Sequence, residues 1–404
     1  MLLGLSAARC SAPAQRLVEV VERIEVPARE GSAEPDLVVG ADGRMYLSWI
    51  EPADATRHAL RFSVWNGQSW SQARTIAGGD DWFVNWADFP SIAALADGTL
   101  AAHWLAKSAD ATYAYDVLLS VSRDGGLSWS EPVRPHRDGT PTEHGFVSLL
   151  PTADGEFVVV WLDGRRTGAA DGGPMTLRFS TLAPNGTVAP DALLDDSVCD
   201  CCSTDAVVTG PGRVAVAYRD RTPSEIRDVA VVRIEGGKPS EPRTVHADNW
   251  QIGGCPVNGP ALAVAGDRVG CAWFTMAHGS HGSVRLAFSN DGAASFGNPI
   301  ELGLGDPEGR VDLVLDEDGS ATVSWIERQG SAATINVRRV SPRGETHPAT
   351  VVAATSVTRA SGFPRLARYR GRTYLAWTET RGASTRVQTG VLPHEGDQTG
   401  PTAP

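Results

Sequence analysis

Short apolar runs of β character, each closed by a large aromatic residue, recur along the chain. The closing residues are Trp49, Trp104, Trp161, Tyr218, Trp273, Trp325 and Trp377, at spacings of 55, 57, 57, 55, 52 and 52 residues. A turn glycine precedes each one: Gly43, Gly98, Gly155, Gly212, Gly266, Gly319 and Gly371. The offset is six residues in six repeats and seven in the fifth. Three turns spell Ala-Asp-Gly, at Ala41–Gly43, Ala96–Gly98 and Ala153–Gly155. Each repeat therefore contains a turn followed by a strand, and its length leaves room for further short strands. A repeat of roughly 40–57 residues built this way predicts a β-propeller. A four-stranded blade cannot cover its own faces, and stacking blades radially buries them. The large aromatic fills the wedge between neighbours. Each unit reads as strand a, glycine turn, strand b, long loop, strand c, turn and strand d. The seventh unit, about 362–391, has only three strands. Leu17–Val26 (LVEVVERIEV) precedes the first unit and supplies the fourth, which removes a free edge. The expectation is one all-β domain, a seven-bladed β-propeller over residues 16–392, with a loose tail at 393–404.

Length alone, 404 residues, suggests two or three domains at about 150 residues each; the repeat replaces that with one ring. A composition of 42% hydrophobic and 21% charged residues excludes a disordered chain. The net charge of −12, with no basic cluster, argues against a nucleic-acid or anionic-membrane surface. Lysine occurs only at Lys107 and Lys238, so arginine carries the positive charge, and arginine suits carboxylate recognition. No run reaches the roughly 18 apolar residues of a membrane span. Met1–Ala8 is apolar and leads into Arg9-Cys10-Ser11-Ala12-Pro13-Ala14, like the end of a secretory signal cut after Ala12-x-Ala14. Residues 1–15 are read as an export-signal remnant, and the protein is expected outside the cytoplasm, periplasmic or secreted. Arg9 disfavours Cys10 as a lipid-anchor cysteine. The missing basic start is expected if Met1 is not the true start.

Ser122-Arg-Asp124-Gly-Gly126-Leu-Ser128-Trp129 fits the turn pattern S-x-D-x-G-x-[ST]-W at every position. Ser289-Asn-Asp291-Gly-Ala-Ala-Ser295-Phe296 is a decayed copy, and Asn66-Gly67 followed by Ser69-Trp70 is a remnant. With the seven-fold register, the chain resembles the Asp-box (BNR-repeat) propellers, the superfamily that contains the sialidases. The box itself is structural: its Asp accepts backbone N–H groups, its Gly takes positive φ, and its Trp packs into the blade. The resemblance implies a sialidase machinery of three arginines, a tyrosine nucleophile with a carboxylate partner, and an aspartate acid/base. The Phe/Tyr-Arg-Ile-Pro segment that carries the first of those arginines is missing, and six blades would be expected rather than seven. Tyr46, Tyr218 and Tyr374 lie within strand b, and Tyr369 lies on the opposite face. Tyr113 and Tyr115 alone are placed near a top-face pocket.

Strand a starts, and strand b ends, on one face of the ring, so the d–a and b–c loops share a rim around the axis. Val198-Cys199-Asp200-Cys201-Cys202-Ser203 leads into blade 4, and Gly254-Cys255-Pro256-Val257-Asn258-Gly259 leads into blade 5. His278 and His281 lie on the b–c loop of blade 5, and Cys271 is read as core. Thiolate and imidazole suit zinc or Cu(I). A disulfide and redox-active thiols are the alternatives. Trp82, Trp86 and Trp250 fall outside the repeat roles, on d–a loops, where they can stack on a ligand or cap the channel. Acidic residues stand two places after five of the seven aromatics, at Glu51, Asp163, Asp220, Glu327 and Glu379, and Arg165, Arg166, Arg221, Arg328 and Arg381 follow them. A repeated rim salt bridge is the plain reading. Doubled charges at Asp163-Gly-Arg165-Arg166 and Tyr218-Arg219-Asp220-Arg221, with Arg310 and Arg365 near the starts of blades 6 and 7, offer an anion site. Glu143-His144, at the start of blade 3, is a candidate acid/base pair.

Three functions follow. The leading one is an exported propeller holding copper or zinc through Cys199, Cys201, Cys202 and Cys255 with His278 or His281. The second is a glycoside hydrolase, exo-sialidase-like, acting on an anionic sugar, with Asp163, Asp220, Glu143 or His144 in the chemistry. The third is a non-catalytic scaffold for a glycan or a protein partner.

Overall fold

The structure, a computed structural model, describes residues 20–168, 172–279, 281–303, 305–330, 332–382 and 384–393. The expected export segment, with Cys10, and the tail beyond residue 393 lie outside the described residues. The described chain is all-β apart from one 3-10 turn at Arg359–Ser361. It forms seven small antiparallel sheets arranged as the seven blades of a propeller.

Blade 1 is Ala33–Val39, Met45–Pro52, His58–Trp65 and Arg74–Gly79; blade 2 is Ser91–Ala94, Leu100–Lys107 and Tyr115–Ser122. Blade 3 is His144–Pro151, Phe157–Asp163, Met175–Leu182 and Ala192–Val198. Blade 4 is Asp205–Gly210, Arg213–Arg219 and Val229–Glu235, with an outer edge split into Lys238–Pro239 and Arg243–Thr244. Blade 5 is Ala261–Ala265, Arg268–Thr275, Ser283–Ser289 and Ile300–Glu301. Blade 6 is Pro307–Leu315, Ala321–Gln329, Ala332–Val340 and Thr350–Thr355. Blade 7 is Arg365–Tyr369, Arg372–Arg381 and Ser384–Val391, completed by Glu22–Ile24 from the other end of the chain. The inner strands touch in chain order, and the last meets the first, so the ring is closed.

The seven repeat glycines all have positive φ, between 57° and 85°, which is why the turn before strand b calls for glycine. The apolar side chains fall into seven clusters, one for each blade junction. The strand-b aromatic of each blade sits in the cluster it shares with the preceding blade: Trp161 packs with Tyr115 and Val117 of blade 2, and Trp377 with Ile335 and Val352 of blade 6. In both Asp-box turns the aspartate gathers the backbone. Asp124 accepts from Leu127 N (3.0 Å), Ser128 N (2.9 Å) and Ser128 Oγ (2.5 Å). Asp291 accepts in the same way from Ser295 N (3.0 Å) and Ser295 Oγ (2.5 Å).

Polar contacts cross every junction near the axis. One inner-strand position, opposite the residue that precedes the aromatic, holds Asp36, Ser91, Ser148, Asp205, Ala261, Asp312 and Arg365 in turn. Asp205 accepts from Leu262 N (2.7 Å), and Asp312 from Leu366 N (2.6 Å), each one blade on. Asp36 accepts from Ile92. Ser148 meets Thr204 (2.7 Å). Asp88 takes Phe146 N (2.7 Å), and Asn258 takes Arg310 N (2.6 Å). Arg365 closes the circle, with Nε 3.4 Å from Asp36 and a terminal nitrogen 3.6 Å from Asp312.

Removing one of these acceptors strands a buried N–H, which costs about 1–3 kcal/mol, and more where an ion partner is also lost. We expect Asp312→Ala to lower stability by about 2–4 kcal/mol and Asp312→Asn by less, as read from thermal unfolding of both variants beside the parent.

Candidate functional site

The two cysteine-bearing connections meet on one rim. Residues 199–203 run from the outer strand of blade 3 into the inner strand of blade 4, and residues 251–260 lead into blade 5. They are pressed together: a Cβ on Gly259 would lie 2.0 Å from the Ser203 carbonyl oxygen, so only glycine fits. Arg219, 2% exposed, fastens the assembly by donating to Asn258 O (3.0 and 2.8 Å), Arg227 O (2.6 Å) and Phe274 O (2.9 Å).

Four thiols result. Cys199 Sγ lies 3.5 Å from Cys202 Sγ and 3.8 Å from Cys201 Sγ, too far for covalent bonds, and the five described cysteines are all free. The sulfurs of Cys199, Cys201 and Cys202 form one group of donor atoms, and Asp200, Cys201 and Cys255 form a second, so Cys201 belongs to both. Cys199 and Cys202 are buried, Cys201 is half-buried and Cys255 is exposed. Hydrogen bonding with the Cys201 and Cys202 thiols holds Cys199 well below the usual thiol range. Arg227, whose guanidinium reaches Cys199 Sγ (3.2 Å) and Asp200 (3.2 Å), favours the same thiolate. Burial pushes the Cys202 thiol up. Cys271 is buried in strand b of blade 5, as expected of a core residue. His278 and His281 are exposed, and neither belongs to a donor group among the described residues. The donors completing the cysteine set are Asp200 and Cys255.

Glu143 and His144 do not act as a pair. Adjacent residues at the start of a strand point opposite ways: Glu143 stays half-exposed on the rim, while His144 is fully buried, stacked on His136. Glu143 instead meets Tyr115, whose hydroxyl lies 2.7 Å from Glu143 Oε1 and 3.0 Å from Asp88 Oδ2. A phenol has one proton for these two acceptors, so a carboxyl proton is favoured here. Burial pushes Asp88 to about 8 and Glu143 to about 7, and the charge of Asp200 on the cysteine loop adds to the latter. Tyr115 was expected near the top face, but nothing marked Asp88, because its partner Tyr115 lies 27 residues further along the chain.

The remaining candidates are mostly engaged. Trp250 is buried beneath the Arg219 guanidinium (4.8 Å), and the half-buried Trp86 lies beneath that of Arg310 (4.7 Å); Trp82 stacks on Trp104. Arg310, 5% exposed, donates to Ser361 Oγ (2.8 Å) and Gly362 O (3.1 Å), and burial lowers it to about 10. Arg221 pairs with Glu225 (2.7 Å) rather than Asp220, Arg165 brackets Asp163, and Arg166 is exposed. The repeated acid after the aromatic is an indole acceptor in three repeats, and the expected rim salt bridge forms in two, Asp163–Arg165 (2.6 Å) and Glu379–Arg381 (2.9 Å). Trp49, Trp161 and Trp325 donate to Glu51 (2.9 Å), Asp163 (2.8 Å) and Glu327 (2.6 Å). Arg328 turns away to Asp306 and Glu308.

No protein-family model matches the chain, and no curated protein matches it in sequence. Solved structures share the fold. A protein of unknown function from Dyadobacter fermentans matches with a TM-score of 0.52 at 13% identity, over 94% of this chain and 100% of that one. An ulvan lyase of family PL25, bound to -[GlcA(1-4)Rha3S]-, matches with 0.52 at 13% identity, over 92% and 97%. The GH93 α-L-arabinofuranosidase of Fusarium graminearum, in complex with arabinobiose, matches with 0.50 at 15% identity, over 78% and 95%. Sialidases also occur among the similar structures, at TM-scores below 0.5. At these identities the likeness is one of fold.

The raised carboxyls carry a pH signature. Asp88 (about 8), Glu143 (about 7) and Asp205 (about 7) keep protons in the folded state that an unfolded chain has released above about pH 4. Their contribution is complete below that pH and is lost as pH rises through about 7 to 8. We expect the melting temperature to fall by several degrees between pH 5 and pH 8, and Asp88→Asn to flatten that slope, in melts at constant ionic strength.

Proposed function

We propose that the chain is an extracytoplasmic metal-binding propeller that holds one Cu(I) or zinc ion on its axial rim. Cys199, Cys201 and Cys202 are the ligands, and Cys255 or Asp200 completes the set. The observation that carries this is the sulfur spacing. Sulfurs about 2.3 Å from a shared tetrahedral ion lie about 3.8 Å apart, and Cys199 stands 3.5 and 3.8 Å from its two neighbours. Thiolate donors select Cu(I) or zinc over hard cations. Arg227 offsets part of the negative charge of the thiolates. The exposed Cys255 sits where an ion would enter or leave.

Elemental analysis with a thiol count on the same sample tests this. We expect about one equivalent of copper or zinc on the parent. Retention should fall at least tenfold in Cys201→Ser, whose sulfur belongs to both donor groups, and stay unchanged in Cys271→Ser. Metal-free protein with fully bridged cysteines would end the proposal.

The Tyr115 contact favours a second reading, a carbohydrate-active enzyme acting on an anionic sugar. Glu143 is half-exposed, holds a proton near neutral pH, and is backed by Tyr115 and Asp88. That is the arrangement general acid/base chemistry asks for. The similar structures bound to -[GlcA(1-4)Rha3S]- and to arabinobiose give the fold a precedent for glycans. Turnover on a panel of aryl glycosides and polyuronates should drop about 10²–10⁴-fold in Glu143→Gln, and a blank panel with the parent protein would remove this reading.

A further inference from the structure

A second polar cluster is buried between blades 2 and 3, apart from the thiols. Its members are Asp116 on the third strand of blade 2, His136 and Asp138 on the connection to blade 3, and His144 and Asp163 on blade 3. The two imidazoles stack face to face, with centroids 3.8 Å apart and planes within 3°. His144 is completely buried and His136 is 4% exposed.

The tautomer of His144 can be assigned from its partners. Nδ1 faces two carbonyl oxygens, Thr142 O (3.2 Å) and Tyr115 O (3.3 Å), which only accept, so Nδ1 carries the hydrogen. A neutral ring then turns a bare Nε2 toward Asp138 Oδ2 (3.3 Å) and Asp163 Oδ2 (3.8 Å). Three acceptors converge, of which Asp163 Oδ2 already takes Trp161 Nε1 (2.8 Å) and an Arg165 terminal nitrogen (2.7 Å) that also stands 3.5 Å from Asp138 Oδ2. His144 Nε2 and Asp138 Oδ2 are both buried without a hydrogen-bond partner. His136 Nδ1 also points at Asp138 Oδ2, from 3.4 Å. Separations of 3.3–3.8 Å are long for hydrogen bonds, but they are the spacing of donor atoms around an ion about 2.1 Å from each. Charge points the same way. Asp116, Asp138, Asp163 and Asp191 are met by three arginines, Arg134, Arg165 and Arg178. With neutral imidazoles, one negative charge is left over. Histidine ligands commonly hand their second N–H to a backbone carbonyl, as His144 does here.

We propose that this cluster is a second cation site, taking a divalent first-row ion such as Zn²⁺ or Mn²⁺ through His144 Nε2, Asp138 Oδ2 and Asp163 Oδ2, with His136 as a further nitrogen donor. It would clamp blade 2 to blade 3 directly behind Glu143, and its nitrogen and oxygen donors set it apart from the thiolate rim. A proton on His144 is the competing occupant.

The full-length protein loaded with ¹¹³Cd²⁺ decides between them by NMR. Two cadmium signals are expected, one in the thiolate range and one in the nitrogen/oxygen range. The nitrogen/oxygen signal should persist in the Cys199→Ser/Cys201→Ser/Cys202→Ser/Cys255→Ser variant and vanish in His144→Gln and in Asp138→Asn. If the four-cysteine variant does not fold, the two single variants on the parent background suffice, because each should lose one signal and keep the other. Absence of the nitrogen/oxygen signal from the parent, with ¹⁵N shifts showing an N–H on both nitrogens of His144, would overturn the proposal. So would persistence of that signal in His144→Gln.

Discussion

What the ring depends on is the polar contact that reaches from the inner strand of one blade to the inner strand of the next. Apolar wedge packing is non-directional and would tolerate a slide between neighbours. A carboxylate that accepts one particular N–H of the adjacent strand does not. Asp88, Asp205 and Asp312 each fix the height of the following blade. Asn258 does the same for blade 6, and a hydroxyl pair does it between blades 3 and 4. The seventh junction reverses the chemistry: Arg365 stands where a carboxylate would repeat, and it faces the aspartates of blades 1 and 6. A fourth aspartate at that height would have crowded like charges around a narrow axis.

Because blade heights are fixed, the connections above them can be irregular without drifting. The cysteine connection departs from the repeat, yet it is held by Arg219, whose side chain spends its donors on three carbonyl groups from different segments. A buried arginine satisfied by carbonyls is a rigid spacer rather than a free cation. The same is true of Arg310. Residues that look like an anion site in sequence thus serve to place the residues beside them. The two unusual chemistries, thiols at Cys199–Cys202 and shared protons at Tyr115, sit on successive connections, and the Asp200 charge is felt at Glu143.

The architecture was legible because it repeats. Seven glycine-to-aromatic intervals predicted seven sheets, and the short seventh unit pointed to the strand at Glu22–Ile24. The rim cysteines were legible because cysteine is rare here and falls on two adjacent connections. Less was readable where partners come from different repeats. Nothing local marks Asp88 as the neighbour of Tyr115, or His136 as the stacking partner of His144. The repeated acid two places after the aromatic was visible, but its partner was not: an indole within the same strand outcompetes the nearby arginine at Glu327. The expectation for His278 and His281 came from sharing a rim, which fixes a face of the ring but not a distance.

The clasp at Glu22–Ile24 joins the first strand of the propeller to its last, Glu22 lying opposite Val391. A polypeptide emerging from one end must therefore keep its first-made segment unspent until nearly the whole ring has been delivered. Six sheets can assemble from neighbouring sequence, but the seventh bears the entropy of gathering a loop that spans the molecule. The finished ring is thus a check on completeness: a chain cut short in its last propeller strand forfeits its first one as well, and leaves Arg372–Arg381 of blade 7 as a bare sheet edge.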